Sequence, residues 1–367
     1  MGLLKLVKNA TLLLLVFVSF GIIFNYVVRE ELVEITKFEK RLEKLNQKLM
    51  NDVDDSSIKE NATLLTLAKN SELFEIVKMV LNYESKFNGK YRYPWVFLNN
   101  EPFSETFKNT IARLTSGPVY FGEIPREQWD MPDSIDTERA EASWGSMAMR
   151  GIIYGGKKSY RQMCRYYSGF FWKHPLLDSY KYYWRVEHDS NLLCDIRKDP
   201  FTELRQRNKT YGFVITIKEI AATIPSLWNT TMEFVETYPE LLAPNNLWDW
   251  ISKDQGKDYS LCHFWSNFEI ADLDFFRSDA YQKYFDYLDN SGGFFYERWG
   301  DAPIHSIALS LFLDKNQIYF FKDIGYEHSP IVYCPDNNKH CSCDTAYGDL
   351  EDPNSCIFKY LQVAGEF

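Results

Sequence analysis

Tyr182–Ile196, YYWRVEHDSNLLCDI, is the stretch whose reading decides the fold. Tyr182–Val186 is aromatic and β-branched, the composition of a buried strand. The apolar run stops at Glu187-His188-Asp189, and a second one, Leu192–Ile196, follows at once. Open α/β sheets place their ligands beyond the carboxyl ends of buried strands. Carboxylates and an imidazole there suit a hard divalent cation. On local pattern alone, a solvated acidic turn between two strands is the simpler reading.

Outward from this stretch, short apolar strands alternate with helical patterns. Trp95–Leu98, Val119–Phe121, Gly212–Ile217, a segment within Tyr259–Ile270, and Ile318–Phe321 read as strands. Leu64–Tyr83, Glu105–Leu114, Glu138–Gly151, Ser159–Gly169, Thr230–Leu242, Ser278–Leu288 and Pro303–Phe312 read as helices. The alternation predicts one α/β domain with a mixed, mostly parallel central sheet over residues 63–367, with an irregular tail after Pro335. Aromatics make up 17% of the chain, which favours a large core with ring-lined clefts. The net charge of −10, with Lys and Arg dispersed, excludes a nucleic-acid footprint.

Residues 10–28, ATLLLLVFVSFGIIFNYVV, carry no charge and are long enough to span a bilayer as a helix. Lys5 and Lys8 precede the run, while Arg29, Glu30 and Glu31 follow it. The expectation is a single-pass type II anchor, with residues 1–9 cytosolic, 29–62 a helical stem and the body across the membrane. The run's length and the absence of an Ala-x-Ala-like site argue against a cleaved signal peptide. The sequons at Asn61, Asn208 and Asn229 agree with a lumenal body. Seven cysteines in an oxidising compartment leave at least one unpaired or linked to another chain. Cys341-Ser342-Cys343 lacks the spacing of a zinc knuckle.

No phosphate-binding loop, dinucleotide fingerprint, nucleophile elbow or zinc-protease motif occurs. Two further stretches carry carboxylates. CHFWSNFE (262–269) ends on Glu269, which reads as a strand-end acid paired with an arginine. GGFFYERWGDAP (292–303) places Asp301 ahead of a helix opening at Pro303, where it reads as a cap.

Longer segments change this reading. YPWVFLNNEPFSETFK (93–108), FGEIPREQWDMPDSID (121–136), KSYRQMCRYYSGFFWKHPLL (158–177), YYWRVE (182–187), LCHFWSNFEIADLDFFRS (261–278), GGFFYERWGDAPIHSIALSLFL (292–313) and IGYEHSPIVYCP (324–335) resemble, in order, the fungal Golgi α-1,2-mannosyltransferases of glycosyltransferase family 15. The resemblance implies a GT-A-type fold, GDP-mannose as donor, Mn²⁺ as metal, retention of configuration, and a mannosylated glycoprotein as acceptor. It implies Glu187 and His328 as metal ligands, with Tyr160 and Arg185 on the nucleotide side. Glu269 becomes the nucleophile or oxocarbenium stabiliser, and Asp301 an acid near the sugars. The anchor and stem fit residence in the Golgi membrane. Family members usually carry proline after the strand glutamate, where this chain has His188 followed by Asp189, either of which adds a potential ligand. Two alternatives stand beside mannose transfer: mannosylphosphate transfer to glycans, and a non-catalytic glycan-binding or scaffolding relative.

Overall fold

The seven strands of the main sheet are, in chain order, β1 (Ala62–Leu67), β2 (Trp95–Asn99), β3 (Val119–Glu123), β4 (Tyr182–Val186), β5 (Tyr211–Phe213), β6 (Phe268–Asp272) and β7 (Ile318–Phe320). This computed structural model describes residues 59–336, 339–344 and 352–365. The anchor expected at 10–28 and nearly all of the stem expected at 29–62 lie outside the described residues. Among those described, no helix is long and apolar enough to cross a membrane.

The strands lie in the order β7-β5-β6-β4-β1-β2-β3. All neighbours pair in parallel except β6, which runs antiparallel to both β4 and β5. The sheet is therefore mixed and mostly parallel, as the alternating pattern implies. β4 and β1 occupy its centre. Both are fully or almost fully buried along their length, as strands covered on two faces must be.

Three helices position the site. α1 (Leu73–Tyr83) turns its buried Ile76, Val80 and Tyr83 onto the sheet. α2 (Lys158–Gly169) runs beneath the cleft. α3 (Asp301–Phe312) is apolar nearly all round and buried from Pro303 to Leu311, the signature of a core helix. Its Ser306 hydroxyl accepts the backbone N–H of Phe264 at 2.8 Å, fixing the helix against the strand Cys262–Phe264.

Several sequence expectations need correction. Leu64–Tyr83 is not one helix: Ala62–Leu67 is strand β1, and the helix begins at Leu73. An unbroken apolar run buried on both faces has no period to separate strand from helix. The strand expected at Leu192–Ile196 lies earlier, at Ser190–Leu192. Gly212–Ile217 divides between β5 and a second strand, Thr216–Lys218, which pairs with Cys262–Phe264. The tail holds a helix, Ile357–Ala364. Six cysteines pair as Cys194–Cys341, Cys262–Cys356 and Cys334–Cys343, leaving Cys164 unpaired and buried.

One buried acid clasps the sheet to α1. Glu84 accepts hydrogen bonds from Asn88 Nδ2 at 2.8 Å, Trp95 Nε1 at 2.7 Å and the Ser116 backbone N–H at 3.1 Å. Burial pushes its carboxyl above the ordinary carboxylate range, against the pull of those donors. Glu84→Ala orphans two buried donors and one half-buried one, and is expected to lower the unfolding free energy by about 3 kcal/mol in urea. Glu84→Gln keeps an acceptor for Trp95 and should lose about 1 kcal/mol. A raised folded pKa means the folded state holds the proton longer. The wild-type advantage over Glu84→Gln should therefore grow as pH falls through the folded pKa, levelling below the unfolded one.

Candidate active site

β4 ends at Val186, and the chain turns through Glu187, His188 and Asp189 before returning as the strand Ser190–Leu192. α1 holds this turn. The Asn82 carboxamide bonds both backbone groups of Leu192, at 2.7 and 3.1 Å, and the Tyr83 hydroxyl meets that of Ser190 at 3.1 Å. The Ser190 hydroxyl closes the turn by donating to the Glu187 carbonyl at 2.7 Å. The late strand Tyr326–His328 pairs antiparallel with Ser190–Leu192, with His328 directly opposite Ser190. Two distant parts of the sequence thus meet at the end of the central strand. His328 Nε2 lies 2.9 Å from Asp189 Oδ1, and its ring packs edge-on against Trp265 with centroids 4.7 Å apart.

These residues line one cleft of about 650 Å³. Leu67–Lys69 and Asn99–Asn100 enter from the carboxyl ends of β1 and β2. Tyr160, Arg185, Glu187, Asp301 and His328 all line the same cleft. Arg185 is the hub. Its Nε donates to Glu187 Oε1 at 2.6 Å, and its Nη1 donates to Asp301 Oδ2 and to Ser266 Oγ at 3.3 Å. The guanidinium lies 3.6 Å from the centroid of the Tyr167 ring. Burial works against ionisation of Asp301, yet the Arg185 guanidinium, then His305 and the Ser266 hydroxyl, hold its carboxyl below the usual range. Asp301 is thus a carboxylate inside the first turn of α3, with Gly300 at the cap position. Tyr160 stacks on Tyr154 with centroids 4.5 Å apart, and the Arg298 guanidinium sits 5.1 Å from its own ring.

Glu269 does not line the cleft. It has no exposed surface. Tyr183 and Tyr211 donate their hydroxyls to its two oxygens, the latter at 3.1 Å, and His305 Nδ1 meets Oε2 at 2.8 Å. His305 Nε2 in turn faces the Tyr167 carbonyl at 3.0 Å. The resemblance implied Glu269 as nucleophile or oxocarbenium stabiliser, and the direction of β6 sets this carboxylate behind the residues that line the cleft. Because β6 is reversed, its amino end faces the cleft, and Trp265, Ser266 and Asn267 line it, while Glu269 is already one residue inside the sheet.

The donor set fits a divalent cation. Glu187 and Asp189 offer oxygens, and His328 an imidazole whose Nδ1 is buried without a hydrogen-bond partner among the described residues. His305, Tyr167 and Ser266 were not singled out by sequence. One signal existed: Asp301 and His305 stand four apart on one helix, hence on one face.

A family model described as glycolipid 2-α-mannosyltransferase matches residues 26–365. The chain is 57% identical over 334 residues to the O-glycoside α-1,2-mannosyltransferase homolog 2 of Schizosaccharomyces pombe, covering 91% of this chain and 90% of that one. It is similar to core-mannan synthase A of Aspergillus fumigatus in its Mn/GDP form, with 42% identity, coverage of 85% and 87%, and a TM-score of 0.81. It is also similar to the mannosyltransferase Ktr4p of Saccharomyces cerevisiae in complex with GDP, with 37% identity, coverage of 89% and 92%, and a TM-score of 0.80.

Glu269→Ala would leave two phenols and an imidazole facing an empty buried space. The expected loss is about 3–5 kcal/mol of stability, read as a lower urea midpoint. A variant as stable as wild type would show that this buried cluster does not hold the core.

Proposed function

The chain belongs to the glycolipid 2-α-mannosyltransferase family, and from that membership we propose that it transfers mannose from GDP-mannose to the 2-hydroxyl of a mannose on a protein-linked glycan, with the α configuration retained. The observation that carries the reading is the register pairing of His328 with Ser190, which brings an imidazole to the cleft that Glu187 also lines. Mn²⁺, when held by Glu187 and His328, neutralises the diphosphate of the departing GDP as a Lewis acid.

The protein's own groups divide the remaining work. The carboxyl ends of β1 and β2, at Leu67–Lys69 and Asn99–Asn100, offer the place where such sheets take a nucleotide. Arg185 fixes Glu187 through its Nε and Asp301 through its Nη1, so both carboxylates are oriented before any ligand arrives. Tyr160 lines the cleft with a phenol that burial pushes well above its ordinary pKa, so it stays protonated and offers its O–H as a hydrogen-bond donor. Asp301, kept ionised, accepts from a sugar hydroxyl and positions the ring.

Retention through a covalent intermediate needs a carboxylate against the anomeric carbon. Glu269 is sealed beneath the cleft with both oxygens engaged, which favours attack from the face that GDP leaves. On that route the acceptor oxygen bonds to the anomeric carbon as the bond to the β-phosphate oxygen breaks, and the acceptor's proton passes to the departing phosphate.

We place the protein in the Golgi membrane as a single-pass type II protein anchored through residues 10–28. Supporting this are the uncharged run, the three disulfides, and the exposure of Asn61, Asn208 and Asn229, each of which opens a sequon.

The test is incubation with GDP-mannose and α-mannosides, with Mn²⁺ or with a chelator. The expected product is a neutral glycan with a new α-1,2 linkage, formed only with metal, and GDP in equal amount. A product carrying new negative charge would mean mannosylphosphate transfer instead. Glu187→Ala and His328→Ala should each weaken Mn²⁺-dependent GDP binding at least about tenfold by calorimetry. Unchanged binding in both would remove the metal site from this reading.

A further inference from the structure

Tyr154 is held in a way that folding alone does not explain. Its φ is +57°, in the left-handed region that aromatic side chains rarely enter. Tyr154 keeps 43% of its surface exposed, and neighbouring Ile153 keeps 54%. Both residues line the cleft. A strained backbone that presents an exposed ring is unfavourable twice over in the empty protein. Such strain persists where the surrounding structure imposes it, and it gathers at ligand sites.

The ring is not loose. It stacks on Tyr160 at an interplanar angle of 17°, and the Lys157 ammonium lies 5.2 Å from its centroid. Behind Tyr160 stands the Arg298 guanidinium, which is paired with Glu219 at 3.3 Å. Ile220, 47% exposed, extends the same wall. Glu219 and Ile220 follow Thr216–Lys218, whose partner strand Cys262–Phe264 leads into β6. This wall therefore borders the half of the cleft away from the ends of β1 and β2, on the other side of the central strand β4.

We propose that Tyr154 is the stacking platform for a pyranose ring of the acceptor. The inference rests on the glycosyltransferase reading above and adds to it the acceptor side of the cleft. A pyranose presents C–H bonds on one face and hydroxyls around its rim. The exposed phenol ring meets the first by dispersion, and the Arg298–Glu219 pair supplies a charged donor and acceptor for the second. A flat ring already braced by Tyr160 loses little freedom when a sugar settles on it. A nucleobase is the other flat partner for such a ring, but the strand ends that open sheets offer to nucleotides lie on the opposite side of β4.

The test uses the full-length protein in detergent, with Tyr154→Asn and Tyr154→Phe. Asparagine tolerates the left-handed conformation, so Tyr154→Asn should melt at or above the wild-type temperature. Its KM for an α-mannoside acceptor should rise about tenfold, the value of one aromatic face contact, while the KM for GDP-mannose and the affinity for GDP stay at wild-type values. Tyr154→Phe keeps the face and should stay within about twofold of wild type. Saturation-transfer NMR with methyl α-mannoside, in the presence of GDP and Mn²⁺, reads the same contact without turnover. An unchanged acceptor KM in Tyr154→Asn, or a loss that falls on GDP-mannose, overturns the platform. A wild-type protein that binds the mannoside through Tyr154 but transfers nothing leaves the platform standing and overturns the transferase reading. Neither binding nor transfer overturns both.

Discussion

The Arg185 guanidinium is the constraint on which the site depends. It is a permanent charge on a central strand, 4% exposed, where an unpaired cation is costly. Three contacts make it tolerable: Glu187 on one edge, Asp301 on another, and the face of Tyr167 beneath. Each partner comes from a different part of the fold, namely the turn after β4, the first turn of α3, and α2. The arginine therefore does in the folded protein what a ligand would otherwise do: it gathers carboxylates that would repel one another. Those carboxylates then stand at the cleft in fixed positions before substrate arrives, which is the condition for electrostatic catalysis without reorganisation.

A second buried charge arrangement lies directly below. Glu269 is the register partner of Arg185 across β4 and β6, yet it turns to His305, Tyr183 and Tyr211. His305 links the two layers, since its other nitrogen meets the carbonyl of Tyr167, the residue whose ring supports Arg185. The two ring nitrogens of His305 thus face Glu269 Oε2 at 2.8 Å and the Tyr167 carbonyl at 3.0 Å. A continuous stack of contacts thus runs from Glu269 through His305 and Tyr167 to Arg185.

Much of this was legible in the sequence, and the failures have physical causes. The strand at Tyr182–Val186 and its acidic turn were readable because a run of aromatics broken by three polar residues admits few other structures. The alternation of elements implied the mixed sheet. β1 was misread because ATLLTL is buried on both faces and carries no period. Glu269 was misplaced because a sequence reports that a strand exists but not which of its ends meets the ligand. A reversed neighbour in a parallel sheet exchanges those ends, and CHFWSNFE then contributes Trp265 to Asn267 instead of its terminal acid. Tyr154 gave no signal at all, since a left-handed φ at a tyrosine is imposed by tertiary contacts.

The site also joins residues far apart in the chain, and covalent bonds help hold that join. His328 reaches the turn after β4 because Tyr326–His328 lies against Ser190–Leu192, a pairing of three residues a side. So short a ladder is weak by itself. Cys194, two residues beyond that strand, is bonded to Cys341 across a separation of 147 residues, and Cys334 just after the following strand is bonded to Cys343. In the loop-closure account, a bridge of that span removes roughly 4–5 kcal/mol of denatured-state freedom. The first bridge fastens the late chain beside the turn that carries Glu187 and the second braces that chain, so the meeting of Glu187 and His328 at one cleft is held by crosslinks as well as by hydrogen bonds. A site built this way keeps its geometry only where thiols stay oxidised, so reduction of these bridges loosens the pairing that carries His328 to the cleft.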